Sequence, residues 1–274
     1  MEKSVSISSR PFIICCGLPR TGTTSLGKAL SILLEGPVFD GGGQSFRGNR
    51  HEQRQMLELA SHVPAKEAHE RELVLNSLAK LTAGCVASVD QPGCYMIEEL
   101  LRLYPDATVI CTIRDRESWW ASYSELWKCI HELYPLSWLS PWLHRFCRFS
   151  LQIWESVPPA VGIPSAPAWP MDNHACLYEA HAEYVRRVVP KERLHYFDVR
   201  HGWQPLCKIL RVPDPEIPFP HELPRMALTR GKEDLMKDLR RRRNILVGLG
   251  FLIGIFTVYQ SASFMACHAR QILA

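Results

Sequence analysis

Several signatures are missing from the chain, and each absence closes a class. None of its ten cysteines forms a Cys-x-x-Cys, and they are scattered over 274 residues. That is not a disulfide scaffold, and a reducing compartment is expected. No His-Glu-x-x-His occurs among the 11 histidines, and no Cys/His cluster has zinc spacing, so no metal site is expected. His174 and His181, seven apart, read as a solvated or packed helix face. The absence of Gly-x-Ser-x-Gly argues against an α/β-hydrolase, and the absence of Gly-x-Gly-x-x-Gly against a nicotinamide dehydrogenase. Charge of one sign is scarce. Lysine and arginine total 32 against 28 acids, and Arg240 to Arg243 account for the excess of four, so nucleic acid is not an expected partner. Residues 1–10 have no apolar centre and read as a tail, not a secretory signal. With 46% hydrophobic and 22% charged residues, neither disorder throughout nor a polytopic membrane protein is expected.

What is present alternates. Short apolar runs at Phe12–Cys16, Cys85–Val89, Thr108–Ile113 and Leu194–Phe197 read as buried strands. Helical spacing follows at 23–34, 51–81, 95–103, 117–131, 173–188 and 203–210. Gly41 to Arg50 reads as a glycine-rich surface loop. Residues 134–170, dense in proline and tryptophan, read as a pocket-forming insertion around one helix near 143–155. Apolar strands alternating with helices predict an α/β fold, a parallel sheet covered on both faces in three α/β/α layers.

Gly17-Leu18-Pro19-Arg20-Thr21-Gly22 joins the first strand to the first helix. Such a loop gathers backbone N–H groups at a helix N-terminus and suits an anion. Its glycine spacing is that of a nucleotide phosphate loop, but Thr23 stands where an NTPase has lysine. Arg20 supplies a cation, and Thr21, Thr23, Thr24 and Ser25 supply four hydroxyls. The bland alternative is a tight turn with no ligand.

Pro19-Arg20-Thr21-Gly22-Thr23-Thr24-Ser25 resembles the 5′-phosphosulfate loop of sulfotransferases, with Arg20 on its usual lysine. Arg114 ends a strand and Ser122 follows eight residues later, similar to the family's 3′-phosphate pair. Where the family has His-x-Pro, this chain has Asp90-Gln91-Pro92, 24 residues before Arg114. A mainly fungal sulfotransferase-like branch is more similar still. Its motifs are matched by Gly17 to Ser25, Tyr104-Pro105-Asp106-Ala107, Gly202-Trp203-Gln204-Pro205-Leu206-Cys207 and Phe219-Pro220-His221, over roughly residues 11–225. Arg230-Gly231-Lys232 is a weak match to a late basic loop.

The resemblance implies a P-loop-type domain over 11–232 that moves a sulfuryl group from 3′-phosphoadenosine 5′-phosphosulfate to a small-molecule hydroxyl or amine, in secondary metabolism. Arg20, Thr21, Gly22, Thr23, Thr24, Ser25, Arg114 and Ser122 would bind the donor. Arg20 and Asp90 would be catalytic. Arg20 faces the charge that grows on the leaving phosphate. Asp90 is either a general base, a helix cap, or an ion-pair partner of Arg20 or Arg114. Trp119, Trp120 and Trp127 read as core, with a face of Trp119 or Trp120 on adenine or acceptor as the alternative.

Ile245 to Cys267 carries no charge, enough for one bilayer crossing. The basic stretch 233–244 precedes it as a linker, and positive-inside logic puts the domain in the cytosol with a short lumenal end, a tail anchor. The alternative is a buried core helix. Gly250 and Gly254 offer a pairing face, so a homodimer is carried as a partner expectation. Two competing functions stand beside transfer: a non-catalytic nucleotide-binding membrane scaffold, and a small-molecule kinase or NTPase.

Overall fold

The computed structural model describes residues 11–160, 162–163, 174–221 and 225–272. The tail 1–10 and the end of the proline-rich segment, 164–170, lie outside them. Five strands form one parallel sheet: β1 (Ile13–Cys15), β2 (Val38–Asp40), β3 (Ala87–Val89), β4 (Thr108–Thr112) and β5 (Leu194–Phe197), in the order β2-β3-β1-β4-β5. Register is shared across the centre, with Ile13 beside both Ala87 and Thr108. Alternation along β1 divides the core. Ile13 and Cys15 face α1 (Thr23–Leu34) and α9 (Trp203–Leu210), while Phe12, Ile14 and Cys16 face the larger helical layer. That layer holds α3 (Arg50–Ser61), α4 (Ala68–Thr82), α5 (Ile97–Leu103), α6 (Arg116–Leu133), α7 (Pro141–Ala160) and α8 (His174–Val188).

Two expectations need correcting. Gly41 to Arg50 is not a surface loop: Gly41–Arg47 is a helix, α2, and Val38–Asp40 before it is a fifth strand. Asp40 nucleates the helix by accepting the Gly43 N–H at 2.8 Å. The 51–81 stretch is two helices, the first started by an Asn49/Glu52 capping box.

From Arg225 one helix, α10, runs unbroken to Ile272. Leu239 is fully buried in the large core, with Leu235 and Met236 packed against it. Lys232 Nζ meets Glu132 of α6 at 2.8 Å. Beyond the arginines the helix leaves the domain, and every apolar side chain named from Ile245 to Tyr259 is exposed. Lys232–Tyr259 is the one span among the described residues long and apolar enough to cross a membrane.

Candidate active site

Parallel strands all end on one edge, and ligands collect there. That edge carries the β1–α1 loop, Asp40 at the end of β2, Asp90 after β3, Arg114 after β4, and Asp198 and Arg200 after β5. A cavity of about 530 Å³ opens among them.

The loop is shaped from below. Gly22 has φ +102°, and a Cβ there would lie 2.6 Å from Val199. Only glycine fits both demands. Thr21 borders the cavity, yet its hydroxyl donates to Leu18 O at 2.7 Å and lies 2.5 Å from Thr112 Oγ1, and its N–H also goes to Leu18 O. Thr21 therefore fixes the turn, and its side chain is not directed at a ligand. Trp119 Nε1 donates to Pro19 O at 3.0 Å, a second brace. No side chain caps α1, and Thr23, Thr24 and Ser25 of its first turn line the cavity.

Arg20 also has positive φ, 74°. Its Nε donates to Ser122 Oγ at 3.0 Å, and Arg114 Nη1 donates to the Arg20 carbonyl at 3.1 Å. Burial lowers the Arg20 guanidinium; Asp90 opposes the shift and Arg114 adds to it. Arg114, Ser122 and Arg20 thus meet at one point. Ser122 sits beneath Arg20 and is not part of the cavity lining, whereas Ser118, one turn earlier, is. Arg114 is exposed, and its main chain is clasped by Tyr178, whose hydroxyl donates to Arg114 O at 2.9 Å. The nearby acids are otherwise engaged. Asp115 caps α6 at Ser118 N, and Glu117 meets Arg116.

Asp90 lines the cavity beside the start of α1. Thr23 Oγ1 donates to its Oδ2 at 3.2 Å and Gln91 N–H to its Oδ1 at 2.7 Å. Its carboxyl is pushed up to about 6, first by burial and then by Asp40. The hydrogen bonds and Arg20 oppose this. Gly42 makes the approach of α2 feasible: a Cβ there would sit 2.8 Å from Asp90 Oδ2.

Opposite the polar end, Leu126, Cys129, Ile130 and Leu133 of α6, Phe146 of α7 and Leu235 of α10 form an apolar wall. Ser150 of α7 lies in it, fully buried, and its hydroxyl has no partner among the described residues. Trp119 and Trp127 are core, and Trp120 packs against that core. His181 is buried too, its Nε2 3.1 Å from Cys94 O, and burial drops it to about 4. Among the described residues no three His, Cys, Asp or Glu side chains converge as a metal site would require.

Asp40, Asp198, Arg200 and Ser150 escaped the sequence reading. Arg200 forks onto Asp198, Nε reaching both oxygens at 3.0 Å, and both line the cavity. A short run after an apolar strand was the only signal for that pair, and nothing local marks Asp40 or Ser150.

A family model described as a sulfotransferase domain matches residues 12–226. The chain is also 31% identical, over 134 residues, to Ava biosynthesis cluster protein M of Aspergillus versicolor. That match covers 48% of this chain and 52% of the relative, about half the length of each.

Proposed function

The chain belongs to the sulfotransferase domain family, and from that premise we propose that it transfers a sulfuryl group from 3′-phosphoadenosine 5′-phosphosulfate to a small-molecule hydroxyl or amine. The observation carrying this reading is that a cationic, uncapped helix start and a carboxylate raised to about 6 line one cavity side by side. The residues fit the donor. First-turn N–H groups, Thr23, Thr24 and Arg20 suit its 5′-phosphate, and Arg114, helped by Ser118 or Arg200, suits its 3′-phosphate.

Transfer forms a bond from sulfur to the acceptor's oxygen or nitrogen and breaks the sulfur–oxygen bond to phosphate, whose oxygen keeps the electron pair. Arg20 stabilises that oxygen by charge. It is held for this by Ser122 from below. Asp90 takes the acceptor's proton. A carboxylate near 6 is a better base than an ordinary one and is still ionised at neutral pH. This favours transfer over the scaffold reading. The relative's naming as a biosynthesis cluster protein agrees with a small-molecule setting. The exposed run 245–259 behind four arginines supports a single-pass anchor with the domain on the cytosolic side.

The test is calorimetry with 3′-phosphoadenosine 5′-phosphate against ATP, with Arg20→Ala as the control. The adenosine bisphosphate should bind in preference to ATP, and Arg20→Ala should weaken it at least about tenfold, the scale of a lost charged hydrogen bond. Preference for ATP, or unchanged affinity in the variant, would overturn the assignment.

A further inference from the structure

The acceptor end of the cavity and the apolar helix share one element. Lys232 and Leu235 of α10 line the cavity, and the same helix becomes the exposed apolar run at Ile245. Ten residues of helix separate Leu235 from Ile245, about 15 Å at 1.5 Å per residue. The arginines 240–243 stand between, where headgroup phosphates would lie. The segment Tyr134–Leu139 packs against α10, and it carries Trp138 at 60% exposed and Tyr134 at 43%. The buried side chains of α10 end at Leu239, one residue before the arginines. Amphipathic aromatics at such a level are typical of a membrane–water interface. The inner wall is apolar, through Leu126, Ile130, Leu133 and Phe146.

We infer that the acceptor is a membrane-partitioned amphiphile, an apolar body bearing one reactive hydroxyl, which enters the cavity from the bilayer surface beside α10. This rests on the sulfuryl-transfer reading of the polar end. The hydroxyl leads toward Asp90, which takes its proton as the acceptor oxygen bonds to sulfur and the donor's phosphate oxygen departs with its electron pair. The apolar body stays against α6, α7 and Leu235. Anchoring then does more than localise the domain: it holds the cavity mouth at the depth where such a compound is concentrated.

The experiment uses the full-length protein in phosphatidylcholine vesicles and dodecanol bearing a chain-end diazirine. After photolysis, adducts are mapped by peptide mass spectrometry, with no donor present. Adducts are expected within residues 126–133 and at Leu235. An excess of 1-dodecanol should suppress them at least about tenfold and the same concentration of 1-butanol should not, since the longer chain buries far more apolar surface against the wall. Leu235→Arg should lose them. Adducts confined to 245–259, or equal suppression by both alcohols, would mean a probe merely dissolved in lipid and would overturn the inference. Donor binding is read separately on the same vesicles by calorimetry. Its failure with cavity adducts intact would sink the transfer reading alone.

Discussion

Asp90 is held in a charged-group conflict that the fold imposes. Burial and Asp40 push its proton affinity up, while Thr23, Gln91 and Arg20 pull it down, and the balance leaves it near 6. Because the native pKa is raised, the folded state holds the proton more tightly than the unfolded chain. Stability is therefore lost as pH rises from about 4 to about 6 and stays lost above. Asp90→Asn should raise the melting temperature at pH 7.5, by about 1–2 kcal/mol of stability after allowing for solvent at the cavity, with the gain fading at pH 4. The same variant should abolish turnover. In the wild type, kcat/KM should rise with pH through about 6 and then flatten; a flat profile from pH 5 to 8 would remove Asp90 as the base. Ser150 presents a second test. Its hydroxyl is buried without a partner among the described residues, so Ser150→Ala should be neutral or stabilising in urea denaturation. A loss above about 1 kcal/mol would show the hydroxyl to be part of the core. Asp90 was legible as a candidate base, but its raised proton affinity was not, and Ser150 was not legible at all. The sequence shows Asp90 two residues before a proline but not its neighbour Asp40 at the end of the preceding strand, and Ser150 is one serine on an amphipathic helix.

The β1–α1 junction was the most legible element, because its demands are local. An apolar run, a glycine that takes φ +102° and a helix without a capping side chain are all written within a dozen residues. β3, β4 and β5 were legible for the same reason, as apolar runs closed by polar residues. β2 and α2 were not. Three residues behind Gly36-Pro37 carry no period, and Gly41-Gly42-Gly43 argues against a helix by propensity. The helix forms because Asp40 caps it and because its start must pass close to Asp90 and Gln91, where a side chain would collide. Tertiary fit overrides propensity there. Gly22→Ala should show how much the loop depends on its geometry. A methyl 2.6 Å from Val199 at a left-handed φ should cost about 1–3 kcal/mol and displace the α1 N–H groups. Chemical denaturation would read the first effect, and affinity for 3′-phosphoadenosine 5′-phosphate the second. Unaltered affinity in a destabilised variant would separate the loop from donor binding.

Across the whole molecule, α10 belongs to two environments. Its amino-terminal part is domain: Leu239 is buried, Leu235 walls the cavity and Lys232 pairs with Glu132, which raises the lysine further. Its later part has no protein contact from Ile245 to Tyr259 that would bury it. The sequence marked the second part plainly, by charge and hydropathy. It did not mark the first, where residues 233–244 read as a basic linker, since Leu235, Met236 and Leu239 show their role only once packed on the large core. Where the chain is cut should therefore decide what survives. Removing everything after Arg243 takes away the exposed apolar run 245–259 and leaves Leu235, Met236 and Leu239 in place. That protein should leave membranes, stay folded and keep its affinity for 3′-phosphoadenosine 5′-phosphate. Removing everything after Gly231 also strips Leu235, Met236 and Leu239. Burial of each leucine contributes about 1.5–3 kcal/mol, so this protein should be less stable by several kcal/mol, a large share of a typical domain's total. Its apolar cavity wall would face water. Thermal melts, gel filtration and vesicle flotation on the two truncations check this. Equal melting temperatures would mean that the start of α10 is only a stalk. A 1–243 protein that aggregates would mean that the apolar run is a core helix and not an anchor.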